Sequence, residues 1–304
     1  MIFYLYDSTN AIISQLLICY QNTKEGENLN QNWIVENLNN AFSTWNGKLG
    51  ELWGLVTTGP QTFKGGAVWS VMQTLHNGMV GIGYALVVLF FAISLCKNTM
   101  NFHELKRPEA AIHYFLRFVA AKALVGYGMD IMLNVFSICN GIVTDMADSM
   151  GGISEAMVSL PAEMQTAIEN VGFLASIPLW LVTILGSLFI TVLSFVMILT
   201  VYGRFFRLYM YTALAPLPLA AFAGESTQSV GISFLKSYVG VCLEGAVIVL
   251  ACVIYSAFVS TPTVASGEAT TIVWSYLAET VFNMLVLVGL IKGSDRIIHE
   301  MMGL

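Results

Sequence analysis

Long unbroken apolar runs dominate this chain, with little sign of the period-2 alternation of half-buried strands. A helix needs about 20 mainly apolar residues to cross a bilayer core. Residues 78–96, 171–202, 241–259 and 272–291 meet that measure. The run 171–202 exceeds one crossing, which predicts a helix that tilts or projects beyond the bilayer. A fifth run, 123–144, carries Asp130, Asn134 and Asn140, but Leu124, Ile131, Leu133, Val135, Phe136 and Ile138 give it an apolar surface. It too is expected to span. A sixth run, 208–223, is short and holds Pro216 and Pro218. Each proline removes an N–H and clashes with the preceding turn. Broken backbone at membrane depth persists only where protein or water satisfies it. The run therefore predicts a re-entrant hairpin, with a kinked sixth helix as the alternative.

Residues 1–67 have a different pattern and form a separate extracytoplasmic or interfacial segment; the membrane domain follows at 68–304. Ile2, Leu5, Tyr6, Ile12, Ile13, Leu16, Leu17 and Tyr20 recur at helical spacing among polar residues. This predicts an amphipathic interfacial helix. An Asn-rich polar stretch covers 21–46. The stripe Trp33, Leu38, Phe42, Trp45, Leu49, Leu52 and Trp53 predicts a second amphipathic helix, read as a docking surface or as a helix lying on the bilayer. In the loop after the first span, Ile112, Phe115, Leu116, Val119 and Ala120 form a stripe beside Arg117 and Lys122. That arrangement predicts a cytoplasmic-face helix whose bases meet anionic lipid, an acidic partner or phosphate.

Composition agrees with a polytopic membrane protein. Charged residues make up 11 % of the 304-residue chain and apolar residues 56 %. A typical globular domain carries about 25 % charged residues. Mean hydropathy is +0.72. A soluble fold could not cover its surface with so few charges. The net charge of −6 gives no basic footprint for free nucleic acid. The few bases that exist orient the chain. Lys97, Lys106, Arg107, Arg117 and Lys122 lie between the first two spans, Arg204 and Arg207 follow the third, Lys236 precedes the fourth, and Lys292 and Arg296 follow the fifth. If 208–223 returns to the side it left, ten of the thirteen bases are cytoplasmic, as the positive-inside rule requires. The expected topology has five spans, the N-terminus outside and the C-terminus inside.

No enzyme motif is present. There is no phosphate loop, HExxH, GxSxG or zinc-deaminase pattern. His76, His103, His113 and His299 are dispersed, so no metal or cofactor site is expected. Cys19, Cys96, Cys139, Cys242 and Cys252 form no CxxC pair and read as small hydrophobes where they fall in apolar runs. Gly81-x-Gly83 lies inside a span, where glycine serves close helix contact more often than nucleotide binding. Ionisable groups at membrane depth are the sharper signal, since each costs at least about 2.5 kcal/mol at a span centre. Asp130 and Glu279 are such groups. Each either lines a water-filled path or is buried and bonded, Glu279 for instance to Asn283. Glu244, in the first turn of its span, is expected to snorkel or to pair with Lys236.

The stretch Val201-Tyr-Gly-Arg-Phe-Phe-Arg-Leu-Tyr-Met-Tyr-Thr-Ala-Leu-Ala-Pro-Leu-Pro-Leu-Ala is followed by Ser233-Phe-Leu-Lys-Ser-Tyr and then Val241-Cys-Leu-Glu-Gly. This order resembles the TrbL-like polytopic inner-membrane proteins of type IV secretion systems, above all those of Gram-positive conjugative elements. The resemblance extends from about Trp69 to Gly303. It implies a channel or scaffold subunit of a conjugative apparatus in the bacterial cytoplasmic membrane. The implied partners are other secretion subunits and cytoplasmic traffic ATPases, with single-stranded DNA or its relaxase as transient substrate. A ring-shaped homo-oligomer, plausibly five-fold, is implied as well. Arg204, Arg207, Pro216, Pro218, Lys236 and Glu244 then form the expected cytoplasmic-side element. In a ring the hairpins would make a constriction, with the bases turned to the ATPases or to a passing phosphate backbone; the alternative is a packed kink with snorkelling arginines. A secondary transporter or ion channel is the other functional reading, and a purely structural scaffold a third. A transporter would want paired broken helices, and the sequence offers one broken segment.

Overall fold

Apolar runs this long can satisfy their backbone only as helices, and helices are what the chain forms. A computed structural model describes residues 32–99, 108–149, 157–169, 173–259 and 269–303. Its helices are α1 (Asn32–Thr57), α2 (Ala67–Thr99), α3 (Pro108–Gly126), α4 (Gly128–Ser149), α5 (Ala162–Glu169), α6 (Phe173–Leu214), α7 (Pro216–Ala220), α8 (Gln228–Val259) and α9 (Ala269–Met302). Short 3-10 turns occupy Phe63–Gly66 and Ala221–Ala223. Helices over Phe63–Lys97, Ile177–Leu214, Gln228–Phe258 and Thr271–Met302 are long and apolar enough to cross a membrane. Ile112–Gly126 and Gly128–Ser149 make a fifth crossing if taken together. The architecture is the all-α polytopic one expected. Its outer surface agrees: Val88 and Leu89 on α2, Leu185, Phe189 and Leu199 on α6, and Ile254 and Phe258 on α8 are all exposed. Water would penalise so much exposed apolar surface, whereas lipid is indifferent to it.

The chain divides into two compact units, one of Met1–Ser43, Val158–Ile190 and Pro262–Val281, the other of Thr44–Met157, Thr191–Thr261 and Phe282–Leu304. These boundaries do not fall at residue 67. In the smaller unit Trp33 meets Trp180 edge-on at 5.7 Å. Tyr276 donates to the Ser159 carbonyl at 2.9 Å, and Leu277 fills the space a side chain at Gly186 would need. In the larger unit a core of Val87, Val125, Met132, Phe136, Leu208, Leu219, Tyr238 and Val241 joins α2, α3, α4, α6, α7 and α8.

Contacts in the larger unit fix the relative direction of its helices. Trp69 and His76 lie by Tyr209 and Thr212, so α2 runs parallel to α6. Arg204 reaches Cys242 while Tyr211 lies by Phe234, so α6 and α8 are antiparallel. Glu244 meets Ser294, and Ile298 lies over Gly240, so α8 and α9 are antiparallel too. Tyr238 pairs with the Met132 carbonyl, and two turns on Asn140 reaches Thr57, next to the Val56 carbonyl that shares Arg204 with Cys242, which sets α4 parallel to α8. Thus α2, α6 and α9 share one direction and α4 and α8 the other, the alternation that five successive crossings demand.

Three expectations need correction. The span at 123–144 is not one helix: α3 and α4 meet at Tyr127 with a bend of 73°. The glycines flanking Tyr127 permit it. A side chain at Gly126 would lie 2.7 Å from the Tyr84 hydroxyl, and one at Gly128 would crowd Leu219 and His76. The segment 208–223 is not a single unit either. Residues 208–214 are the last turns of α6, whose 42 residues extend about 63 Å at 1.5 Å per residue. Only the part from Pro216 onward forms the short helix and 3-10 turn that lead into α8. Finally, the stripe on α1 does not lie on a bilayer surface. Leu38, Phe42, Trp45, Leu49 and Leu52 are buried within the protein. The amphipathic stretch at 2–20 lies outside the described residues.

Candidate functional site

Of the two arginines that close the long apolar run, Arg204 is internal and Arg207 half-buried. Arg204 is 1 % exposed. It donates to the carbonyls of Val56 at 3.4 Å, Val241 at 3.3 Å and Cys242 at 3.2 Å. The last two carbonyls belong to α8, where each retains a lone pair beyond its helical bond. They are reachable because the next turn carries Gly245, where any Cβ would sit 2.7–2.9 Å from the guanidinium. One turn along α6, Arg207 donates to both carboxylate oxygens of Glu244 at 2.7 and 2.8 Å and also bonds Asp295. Ser294 donates to Glu244 at 3.1 Å, and His299 lies 3.6 Å from Asp295. Two cations thus face two carboxylates, and α6, α8, α9 and the end of α1 are tied at one level. The Arg207 guanidinium bridges the two carboxylates, Nη2 serving both Glu244 oxygens and Nη1 serving Asp295. Glu244 neither snorkels nor pairs with Lys236, which is exposed on α8 some 12 Å along the helix at about 1.5 Å per residue. Arg204 is thus enclosed, and Arg207, half-buried, is held by two carboxylates.

The proline turn has its own polar partner. Pro216 has no N–H, so the Thr212 carbonyl four residues earlier loses its helical donor. His76, 1 % exposed on α2, occupies the vacancy: its Nδ1 lies 2.7 Å from that carbonyl, in donor position as Nδ1–H. The backbone at Ala215 stays helical (φ −49°, ψ −40°). Pro216 also packs hard against α2, since a Cβ at Gly83 would fall 2.9 Å from the Pro216 carbonyl oxygen. Gly83 therefore serves close helix contact, whereas the space beside Gly81 is open. In the sequence His76 is one of four scattered histidines, a lone polar residue in an apolar helix with no spacing to link it to Pro216.

A third polar feature is open rather than closed. On α4, Met132, Phe136, Cys139 and Val143 are buried, while Asp130, Asn134 and Ser137 are exposed on the opposite face. With Asn140, Leu133 and Gly59-Pro60-Gln61 they line a crevice of about 520 Å³. Asn140 donates to the Thr57 carbonyl at 3.2 Å, and its buried Oδ1 has no protein partner among the described residues. Glu279 is elsewhere, half-buried on α9 in the smaller unit near Tyr276, and is engaged within the protein. No cluster of three or more metal-ligating side chains occurs among the described residues.

A family model described as TrbL/VirB6 plasmid conjugal transfer like protein matches residues 45–216, more than half of the chain. The chain belongs to this family. The match starts inside α1, earlier than Trp69, and ends at Pro216, so it covers Arg204, Arg207 and the α4 polar face but not Glu244. No curated protein and no solved structure matches the chain. As a TrbL/VirB6-like protein with several membrane-length apolar helices, it is a membrane component of a conjugal transfer system, a family of structural components rather than enzymes.

Proposed function

We propose that this chain is a subunit of the cytoplasmic-membrane part of a conjugative type IV secretion apparatus and forms a wall of its translocation path. Family membership supplies the setting. The observation that carries the path is the exposed Asp130, Asn134 and Ser137 face of α4, at the crevice, in a protein whose outer surface is otherwise largely apolar. Polar groups at membrane depth are kept where water reaches them. The crevice, of about 520 Å³, is large enough to admit water, and the unpartnered Asn140 Oδ1 is the kind of group that ordered water satisfies. The arginine–carboxylate cluster then serves as the frame that holds α6, α8 and α9 in place, with Pro216 and His76 fixing the turn beside it.

The alternating helix directions fit an odd number of crossings, and the placement of the bases favours an N-terminus outside and a C-terminus in the cytoplasm. In this reading several copies form a ring, five-fold by the resemblance, and cytoplasmic ATPases supply the energy because the chain hydrolyses nothing itself. The substrate is single-stranded DNA with its relaxase, or protein. Asn134→Leu combined with Ser137→Leu dries the α4 face without burying a charge. It is expected to depress transfer frequency while protein level and membrane insertion hold; transfer at the parental level would remove α4 from the path.

A secondary transporter is the second reading, and one observation favours it. Two helix breaks meet, with Gly128 after the Tyr127 bend lying against Leu219 after the proline turn. Substrate movement by the purified protein in liposomes, with no ATPase present, would select that reading.

A further inference from the structure

The crevice on α4 carries acceptors and no cation. Asp130, Asn134, Ser137 and Asn140 line it, and no Lys or Arg does. Elsewhere Glu51, Glu244, Asp295 and Glu300 each hold a cationic side chain. The side chains of Asp130, Asn134 and Ser137 have no hydrogen-bond or ion-pair partner among the described residues. Asn140 is committed on one side only. Its Nδ2 donates to the Thr57 carbonyl at 3.2 Å, which leaves the buried Oδ1 as an acceptor unpartnered among the described residues. A carboxylate and an amide oxygen only accept. A ligand that suits this wall is positive and donates; a phosphate would meet an uncompensated carboxylate. The spacing narrows the class. Along α4 the four polar residues stand at rises of about 6, 4.5 and 4.5 Å, at 1.5 Å per residue. Amines separated by three or four methylenes stand about 5–6 Å apart, across four or five single bonds of about 1.5 Å. Leu133 and Phe136 lie on the same wall between the polar positions, giving apolar surface to the methylenes. The volume of about 520 Å³ is within the range of small-ligand sites.

We propose that the crevice binds a row of alkylammonium groups, supplied by a free linear polyamine or by the lysine side chains of an extended peptide. Asp130 takes one ammonium in a charge-assisted pair. Asn140 Oδ1 accepts from another further along α4, and Asn134 and Ser137 accept between them. The inference rests on the functional reading only in that water reaches this face; it does not depend on what the apparatus carries.

The test uses the full chain in nanodiscs, titrated by calorimetry with spermidine, with a blocked trilysine peptide and with magnesium. The expected result is saturable binding of spermidine, weakened about tenfold or more by Asp130→Asn and weakened also by Asn140→Leu. Asp148→Asn, at an exposed carboxylate of α4 outside the crevice, should leave it unchanged. Binding of spermidine without trilysine assigns the site to free polyamines; binding of trilysine with the same dependence on Asp130 assigns it to peptide side chains. No saturable binding of either amine, equal loss in Asp130→Asn and Asp148→Asn, or magnesium binding with the same dependence on Asp130 would overturn the proposal. Ser137→Cys in membranes, in a chain lacking Cys19 and Cys96, separates this failure from that of the path. Labelling by a water-soluble maleimide without amine binding removes the ligand and keeps the wet face, whereas no labelling removes both.

Discussion

Arg204 shows how far a single residue is legible. Its position after a long apolar run is plain in the sequence and suggests a charge at the membrane face. Its enclosure is not, because the acceptors are carbonyls on α8 and the end of α1, and the space for it is made by Gly245. Glu244 is likewise visible as an intramembrane carboxyl, but its partner is Arg207 across the helix interface rather than Lys236, the cation eight residues before it in sequence. Proline behaved as local rules require; what local rules could not supply was the donor for the carbonyl it freed. That pairing makes a sharp prediction. His76→Ala leaves the buried Thr212 carbonyl unpaired and should cost about 1–3 kcal/mol of stability. Pro216→Ala restores an N–H for the same carbonyl. The cost of His76→Ala should therefore shrink in the Pro216→Ala background, as read by thermal unfolding in detergent. Equal costs in both backgrounds would show that His76 does not serve that carbonyl.

At the scale of elements, the apolar runs gave four of the membrane-length helices but not their ends, and the fifth is a bent pair. The long helix was expected to stop near the arginines, yet it continues to Leu214 because those charges are neutralised by α8 and α9 rather than by solvent. The break at Tyr127 was missed because Gly126 and Gly128 lie inside an otherwise acceptable helical pattern, and the reason for them is the approach of Tyr84 and Leu219 from other helices. The stripe on α1 was correctly periodic, but periodicity does not say whether lipid or protein covers it. Gly81-x-Gly83 separates close contact from mere tolerance. Gly83→Ala forces a methyl against the Pro216 backbone and should destabilise by about 1–3 kcal/mol. Gly81→Ala enters open space and should be neutral or gain up to ~1 kcal/mol from helix propensity. The same unfolding measurement decides it, and equal effects at both positions would contradict the packing of the proline turn on α2.

For the whole molecule, the placement of a few bases gave an orientation, and the helix directions agree with its parity. The two breaks, the enclosure of Arg204 and the exposed polar face of α4 depend on which helices touch, which no run of residues records. The orientation is testable with single cysteines at Ser159 and Met301, both exposed, in a background lacking Cys19 and the exposed Cys96. An impermeant maleimide added to intact cells should label position 159 and spare position 301 until the membrane is opened. Labelling of both from one side would contradict the five-crossing topology. The most direct measurement of the central claim is photo-crosslinking during transfer. A crosslinking residue at Ser137, on the polar face of α4, should capture the moving strand or its attached protein. One at Ile138, which is 68 % exposed beside it on an apolar surface, should capture lipid or neighbouring protein only. Capture of substrate at neither position, or equally at both, would contradict the claim that the polar face of α4 lines the path.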